Sequence, residues 1–306
     1  MSGRVIFVTN DDGIDAPGIQ ALVRRLRGNG HIVVIVAPDR ERSASTMHIT
    51  MHRPLRLVER SDLEEHFGGG VETGELWIYQ LDGYPADCVL TGLGGGLPDD
   101  VPSPCLCVTG INRGPNLSVD VLHSGTIGSA RQAAIIGLPS IAASYDTFQP
   151  ESFDEVADAT IELVEKALSI VSDSPPNFGR EEGARTNVSG NDADQRVLDG
   201  FRKGEVFLNL NVPVGWDGSF QTCRLGSRWY RDPIVLLEDG DKERVLKLGA
   251  TWIEDEPIED GDSYVKFSGV AAVSALSTWP ATHPLSIGEN NLRDVVSGEG
   301  LPRWMG

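Results

Sequence analysis

Residues 5–38 read VIFVTNDDGIDAPGIQALVRRLRGNGHIVVIVAP, and this stretch decides the fold. Val5 to Thr9 is a continuous β-branched and aromatic run, as expected of a strand buried on both faces. Pro17 opens an amphipathic segment to Arg27, with Ile19, Leu22, Val23 and Leu26 at helical spacing. Gly28-Asn29-Gly30 stops that helix. His31 to Ala37 is a second apolar run, ended by Pro38. Strand, helix and strand in so short a span make a βαβ unit, hence a parallel sheet with a right-handed crossover.

Outward from this unit the alternation continues. Strands are predicted at Leu76–Leu81, Cys105–Thr109 and Ser140–Ser144, and helices at Pro85–Leu93, Ile127–Ile136 and Phe153–Val171. The fold class that results is α/β: a doubly wound, mostly parallel Rossmann-like sheet with a smaller β-rich C-terminal portion. Residues 172–202 are rich in Ser, Pro, Gly, Asn, Asp and Arg, and read as a flexible surface insertion. Val206 to Val212 returns as a strand. Beyond Pro213 come short β-like pieces with aromatics such as Trp229, Tyr230 and Trp252, and one more strand at Val270–Leu276. The expected division is a Rossmann-like core over 1–213 and a smaller C-terminal portion over 214–306.

Composition narrows the function. The 306 residues are 40% hydrophobic and 23% charged, which excludes disordered and fibrous classes. Lys and Arg number 26 against 45 Asp and Glu, a net charge of -19 that argues against polymeric nucleic acid and anionic membranes as partners. The run Val5–Thr9 is too short for a signal-peptide core, and no window approaches the ~20 apolar residues of a membrane span. Cys88, Cys105, Cys107 and Cys223 form no Cys-x-x-Cys pair and read as buried thiols of a cytoplasmic protein.

Ligands of open α/β sheets bind beyond the carboxyl ends of the strands. Three predicted strands end in oxygen-rich loops: Asn10-Asp11-Asp12-Gly13, Asp39-Arg40-Glu41-Arg42-Ser43, and Gly110-Ile111-Asn112-Arg113-Gly114-Pro115-Asn116. The adjacent carboxylates of Asp11 and Asp12 repel each other unless a cation sits beside them. With oxygens from Ser43 and Asn112 they make an all-oxygen set for a hard ion, Mg²⁺ or Mn²⁺, and no His lies in these loops to favour zinc. Taken alone, Asp12-Gly13 is equally a turn and Asp11 a helix cap. Ser124-Gly125-Thr126 at a helix start reads as an anion site, or as an ordinary N-cap. There is no Walker A lysine and no G-x-S-x-G elbow.

Together these loops resemble the SurE (survival protein) family. The motifs are Asn10-Asp11-Asp12-Gly13-Ile14 with Ala16-Pro17-Gly18, Ala37-Pro38-Asp39-Arg40 with Arg42-Ser43, and Gly110-Ile111-Asn112 with Gly114-Pro115-Asn116. Ser124-Gly125-Thr126, Pro85-Ala86-Asp87-Cys88 and Asn209-Leu210-Asn211-Val212-Pro213 fit as well. The resemblance implies a metal-dependent 5′/3′-nucleotidase that cleaves nucleoside monophosphates to nucleoside and phosphate. It implies one divalent cation per subunit on Asp11, Asp12, Ser43 and Asn112, with Asp11 and Asp12 catalytic. It also implies a phosphate held by Asn116, Ser124, Gly125 and Thr126, and a homodimer or homotetramer. Alternatives are a broad-specificity phosphatase or exopolyphosphatase, and a non-catalytic nucleotide-binding module. Three positions depart from the family pattern: Thr109 for Ser, Tyr84 for Thr, and Ala44 for Gly. If the Gly position needs φ > 0, Ala44 strains the loop. Tyr84 is a candidate platform for a base, or simply packs in its loop.

Overall fold

The structure is a computed structural model that describes residues 3–68, 74–174, 191–249 and 252–306. The first βαβ unit forms as the sequence predicts: β1 (Val5–Thr9), α1 (Pro17–Gly28) and β2 (Ile32–Pro38), with Val5 opposite Ile32 in parallel register. Next come β3 (Leu57–Glu59), β4 (Leu76–Leu81), α2 (Pro85–Leu93), β5 (Leu106–Arg113), α3 (Gly125–Ile136), β6 (Ser140–Tyr145) and α4 (Asp154–Ile170). Then follow α5 (Ala193–Arg202), β7 (Val206–Val212), β8 (Phe220–Cys223), β9 (Arg228–Arg231), β10 (Ile234–Asp239), β11 (Arg244–Leu248) and β12 (Trp252–Asp255). The chain closes with α6 (Asp262–Val265), β13 (Ala271–Ser277), α7 (Glu289–Asp294) and β14 (Gly298–Glu299).

Ten strands share one sheet in the order β14-β8-β13-β7-β6-β5-β1-β2-β4-β3. The six strands from β13's neighbour β7 across to β4 with their helices give the doubly wound pattern, because alternate residues of each strand bury against opposite layers. Ile6 and Val8 pack with Ile19, Leu22 and Leu26 of α1 and with Val156 and Leu163 of α4. Phe7, Val34 and Val36 pack with Cys88, Val89 and Leu93 of α2. A Cβ on Gly92 would stand 2.2 Å from the Phe7 ring, so glycine there lets α2 lie close to the sheet.

Three expectations change. Residues 175–190 of the anticipated insertion lie outside the described residues, but Ala193–Arg202 is a helix, capped by Asp192 and burying Val197 and Phe201. Those two apolar residues, four apart, give one helical face among polar neighbours. Strand β5 runs on to Arg113, past the expected end at Thr109, with a register shift between Thr109 and Asn112. Beyond Pro213, β8, β13 and β14 join the main sheet, so strands from both sides of that boundary share one hydrogen-bonded layer. The remainder of that portion forms two antiparallel ribbons, β10–β11 and β9–β12. All four cysteines are buried and unbridged. Among the described residues no helix is long and apolar enough to cross a membrane.

Candidate active site

The winding of the sheet reverses between β1 and β5. From β1 the chain moves outward to β2 and β4, then returns to β5 and moves the other way to β6 and β7. Loops leaving β1 and β5 therefore part at their carboxyl ends and open a crevice at the switch point. Asp11 and Asp12 follow β1, and Asn112 lies near the end of β5.

Asp11 is 2% exposed. Its carboxylate accepts hydrogen bonds from the Gly125 amide at 3.1 Å and from the Thr126 hydroxyl, while its main-chain carbonyl accepts from the Arg42 amide at 2.6 Å. Burial pushes the Asp11 carboxyl up to about 6; the Thr126 hydroxyl opposes this and the Asp12 charge adds to it. Asp12 is half-buried and accepts from the Arg113 amide at 3.0 Å on Oδ2. Its pKa is also raised, by burial, against the opposing Arg113 amide and guanidinium. Two neighbouring carboxylates, both pushed toward neutrality, form an arrangement that a cation stabilises in its ionised form.

The residues present fit a hard divalent ion. Asn112 donates from Nδ2 to the Gly114 carbonyl at 2.8 Å, which leaves Oδ1 as its acceptor face, 3.5 Å from the Thr126 hydroxyl. Buried oxygens without hydrogen-bond partners cluster in the same loops: Asn10 Oδ1 and Ser45 Oγ. Among the described residues no group of three or more His, Cys, Asp or Glu could hold a metal, so any site here uses two carboxylates and neutral oxygens.

The remaining candidates divide. Thr126 and Gly125 meet Asp11 directly, so the first amide of α3 serves a carboxylate of the protein itself. Ser124 caps α3, accepting from the Ile127 amide at 3.2 Å. Ser43 is exposed and its hydroxyl donates to Glu41 at 3.0 Å. Ser45, two residues on, lies against Gly125. A Cβ on Gly125 would meet Ser45 Oγ at 2.6 Å and Asp11 Oδ2 at 2.9 Å, which places both oxygens around that glycine. Asn116 is buried in an internal network. Its amide donates to Asn211 at 2.8 Å, its side chain donates to Ser144 at 2.7 Å, and its carbonyl accepts from Asn209 and Asn211. The alternation Asn209-Leu210-Asn211 within an apolar strand is the signal for this network, since residues two apart share a sheet face.

The loop after β2 is held in place from both sides. The Thr46 amide donates to the His123 carbonyl at 3.0 Å, and Asp87 of α2 accepts from the amide and hydroxyl of Thr50 at 2.8 and 2.7 Å. Ala44 has φ 56°, so the strain anticipated for a side chain at this position is present. Tyr84 packs in its loop: the His48 ring lies 4.0 Å from it and the Arg42 guanidinium 4.9 Å. On the other side of Asp12 a cleft of about 670 Å³ opens between the β1 loop and residues 148–154.

The family model described as Survival protein SurE matches residues 6–232. The chain is 34% identical to the 5′-nucleotidase SurE of Syntrophotalea carbinolica over 302 residues, covering 98% of this chain and 97% of that one. It is 35% identical to the 5′-nucleotidase SurE of Gloeobacter violaceus, covering 89% of each. The crystal structure of the SurE protein from Aquifex aeolicus superposes with a TM-score of 0.64 at 28% identity, over 91% of this chain and 95% of that one. By the family model and these relatives, the chain belongs to the SurE family.

Proposed function

We propose that this protein is a metal-dependent phosphomonoesterase that hydrolyses nucleoside monophosphates to nucleoside and phosphate. The observation that carries the reading is the buried Asp11 beside the half-buried Asp12 at the switch point, with an oxygen-only neighbourhood. Several relatives are named 5′-nucleotidases, which supports the substrate class. Asp11, Asp12 and the Asn112 carbonyl oxygen would hold one Mg²⁺ or Mn²⁺ per subunit, with Ser43 or Ser45 supplying a hydroxyl. When bound, such an ion polarises a phosphoryl oxygen and acidifies water.

The chain's own groups supply the rest. Both carboxylate oxygens of Asp11 are engaged, by Gly125 and Thr126, which fixes its orientation. Asp12 is bound through Oδ2 alone among the described residues, so Oδ1 is free to serve as a ligand of the ion. The N-terminal turn of α3, Ser124-Gly125-Thr126, lends positive helix-dipole character to the side where phosphoryl charge grows. Asn116 supports that side through its buried network. We further propose that the protein acts in the cytoplasm. Residues 214–306 would carry assembly into a homodimer or homotetramer, through ribbons that expose Trp229, Leu236, Leu246 and Trp252.

The test is phosphate release from AMP and from p-nitrophenyl phosphate, before and after EDTA and after Mg²⁺ or Mn²⁺ is returned. Turnover should vanish with chelation and recover with metal, and bis-p-nitrophenyl phosphate should resist because a diester lacks one anionic oxygen. Full activity in EDTA would refute the reading.

A further inference from the structure

We propose that the cleft beside Asp12 receives the nucleoside leaving group, and that Phe148 is the surface on which its base stacks. This rests on the phosphomonoesterase reading above and adds the place and the specificity residue. Asp12 and Gly13 form one edge of the cleft and the Phe148–Asp154 segment the other, so the cavity begins at one of the paired carboxylates. Asp11 faces the opposite way, toward α3. A phosphoryl group on the Asp11 side would thus have its ester substituent directed over Asp12 into the cleft. Its volume, about 670 Å³, lies within the ~300–1,000 Å³ of small-ligand sites.

Phe148 is 65% exposed, yet its ring is not loose. A Cβ on Gly114 would stand 2.5 Å from the ring edge, and Gly114 has φ 113°, a conformation that favours glycine. The ring therefore rests against bare backbone two residues after Asn112 and leaves much of its surface to the cleft. A held aromatic of this kind offers a stacking platform to any base. The rival aromatic, Tyr84, is already covered by His48 and Arg42.

Charge selects the neutral end of the substrate. Three arginines line the cleft: Arg113 lies 3.6 Å from Glu41, Arg40 stands 4.0 Å from Asp39, and Arg24 donates to the His66 carbonyl at 3.0 Å, while six carboxylates, Asp12, Asp15, Asp39, Glu41, Glu151 and Asp154, outnumber them. A second phosphate would be repelled there, whereas sugar hydroxyls and base amino groups would find acceptors. The cleft thus favours a nucleoside over a pyrophosphate or polyphosphate chain.

The experiment compares AMP with glycerol 2-phosphate, whose leaving group is small and not aromatic, in the full-length wild type, Phe148→Ala and Phe148→Tyr with Mg²⁺. Phe148→Ala should raise KM for AMP about tenfold, the lower range of a lost base stack. It should keep kcat within about twofold, since uniform binding is what is lost. Glycerol 2-phosphate turnover should be unchanged, and Phe148→Tyr should restore the AMP value. Adenosine affinity by calorimetry should fall by the same factor in Phe148→Ala. An unchanged KM for AMP in Phe148→Ala, or equal losses on both substrates, would overturn the cleft assignment. A wild type that hydrolyses glycerol 2-phosphate but not AMP would count against the nucleotidase reading itself, and the cleft assignment would fall with it.

Discussion

Asp11 and Asp12 differ although they are neighbours of the same type. Asp11 is committed on both oxygens to the start of α3, and Asp12 to the Arg113 amide with one oxygen left over. Removing either charge should therefore remove a group that acts in the transition state. Asp11→Asn and Asp12→Asn are each expected to lower kcat by at least about 100-fold. Both variants should fold, because the residues lie beyond the end of β1 and contribute nothing to the apolar core. Steady-state kinetics on protein with a native circular-dichroism spectrum decides it, and a near-wild-type rate would dismiss the assignment. Ala44 poses the opposite case, a residue in a conformation its side chain opposes. At φ 56° its Cβ crowds the backbone, a conformation that costs roughly 1–2 kcal/mol, offset in part by the flexibility glycine adds to the unfolded chain. Ala44→Gly should raise Tm by about 1–3 °C in a thermal melt. A lower Tm would show that the loop is not strained there.

Among the elements, the ribbon β9–β12 is fastened to the turn that precedes α3. Arg228, with a fully buried side chain, donates to Asp255 at 2.7 and 2.9 Å and to Asp120 at 3.0 Å. Asp262, at the first turn of α6, accepts from the Gly226 amide at 2.7 Å and the Ser118 amide at 3.2 Å. Burial raises the Asp262 carboxyl to about 6, against the pull of those amides and of Arg228. Its unfolded value is near 3.8, so between these two pH values the folded protein binds the extra proton. The stability this group contributes is complete below the unfolded value and is lost as pH rises through about 6. Asn in its place does not titrate. The stability difference between wild type and Asp262→Asn should therefore shift against the wild type by about 1 kcal/mol from pH 5 to pH 7. Urea denaturation at the two pH values measures it, and a constant difference would show that Asp262 titrates normally.

For the whole molecule, the net charge of -19 disfavours contact with polyanions, so association must come from apolar surface. That surface lies on the ribbons, where Trp229 is 50%, Leu248 79% and Trp252 54% exposed. A two-stranded ribbon has no second layer of its own to cover such side chains. Light scattering at micromolar concentration should give the mass of a dimer or tetramer, and a monomer would contradict the role proposed for residues 214–306.

Much of this molecule is written locally. Parallel strands buried on both faces appear as unbroken apolar runs, so β1, β2 and the loops they deliver follow from the sequence without knowledge of partners. Asp11, Asp12 and Asn112 are legible for the same reason: each lies at or beside the end of such a run, and strand ends on one edge of a sheet must converge. Other features depend on contacts between distant residues, and local pattern cannot fix these. Where Ser43 and Ser45 stand was decided by how the loop after β2 packs on α3, and the hydrogen bonds of Asn116 by strands that arrive 28 and 95 residues later. Helix α5 needed a core to accept Val197 and Phe201. The C-terminal strands entered the main sheet because β7 left it an open edge, and β13 could pair there in antiparallel register. The place of Phe148 in the same cleft as Asp12 has the same origin: its ring rests on Gly114, from another strand's loop, and no residue near it in sequence foretells that contact.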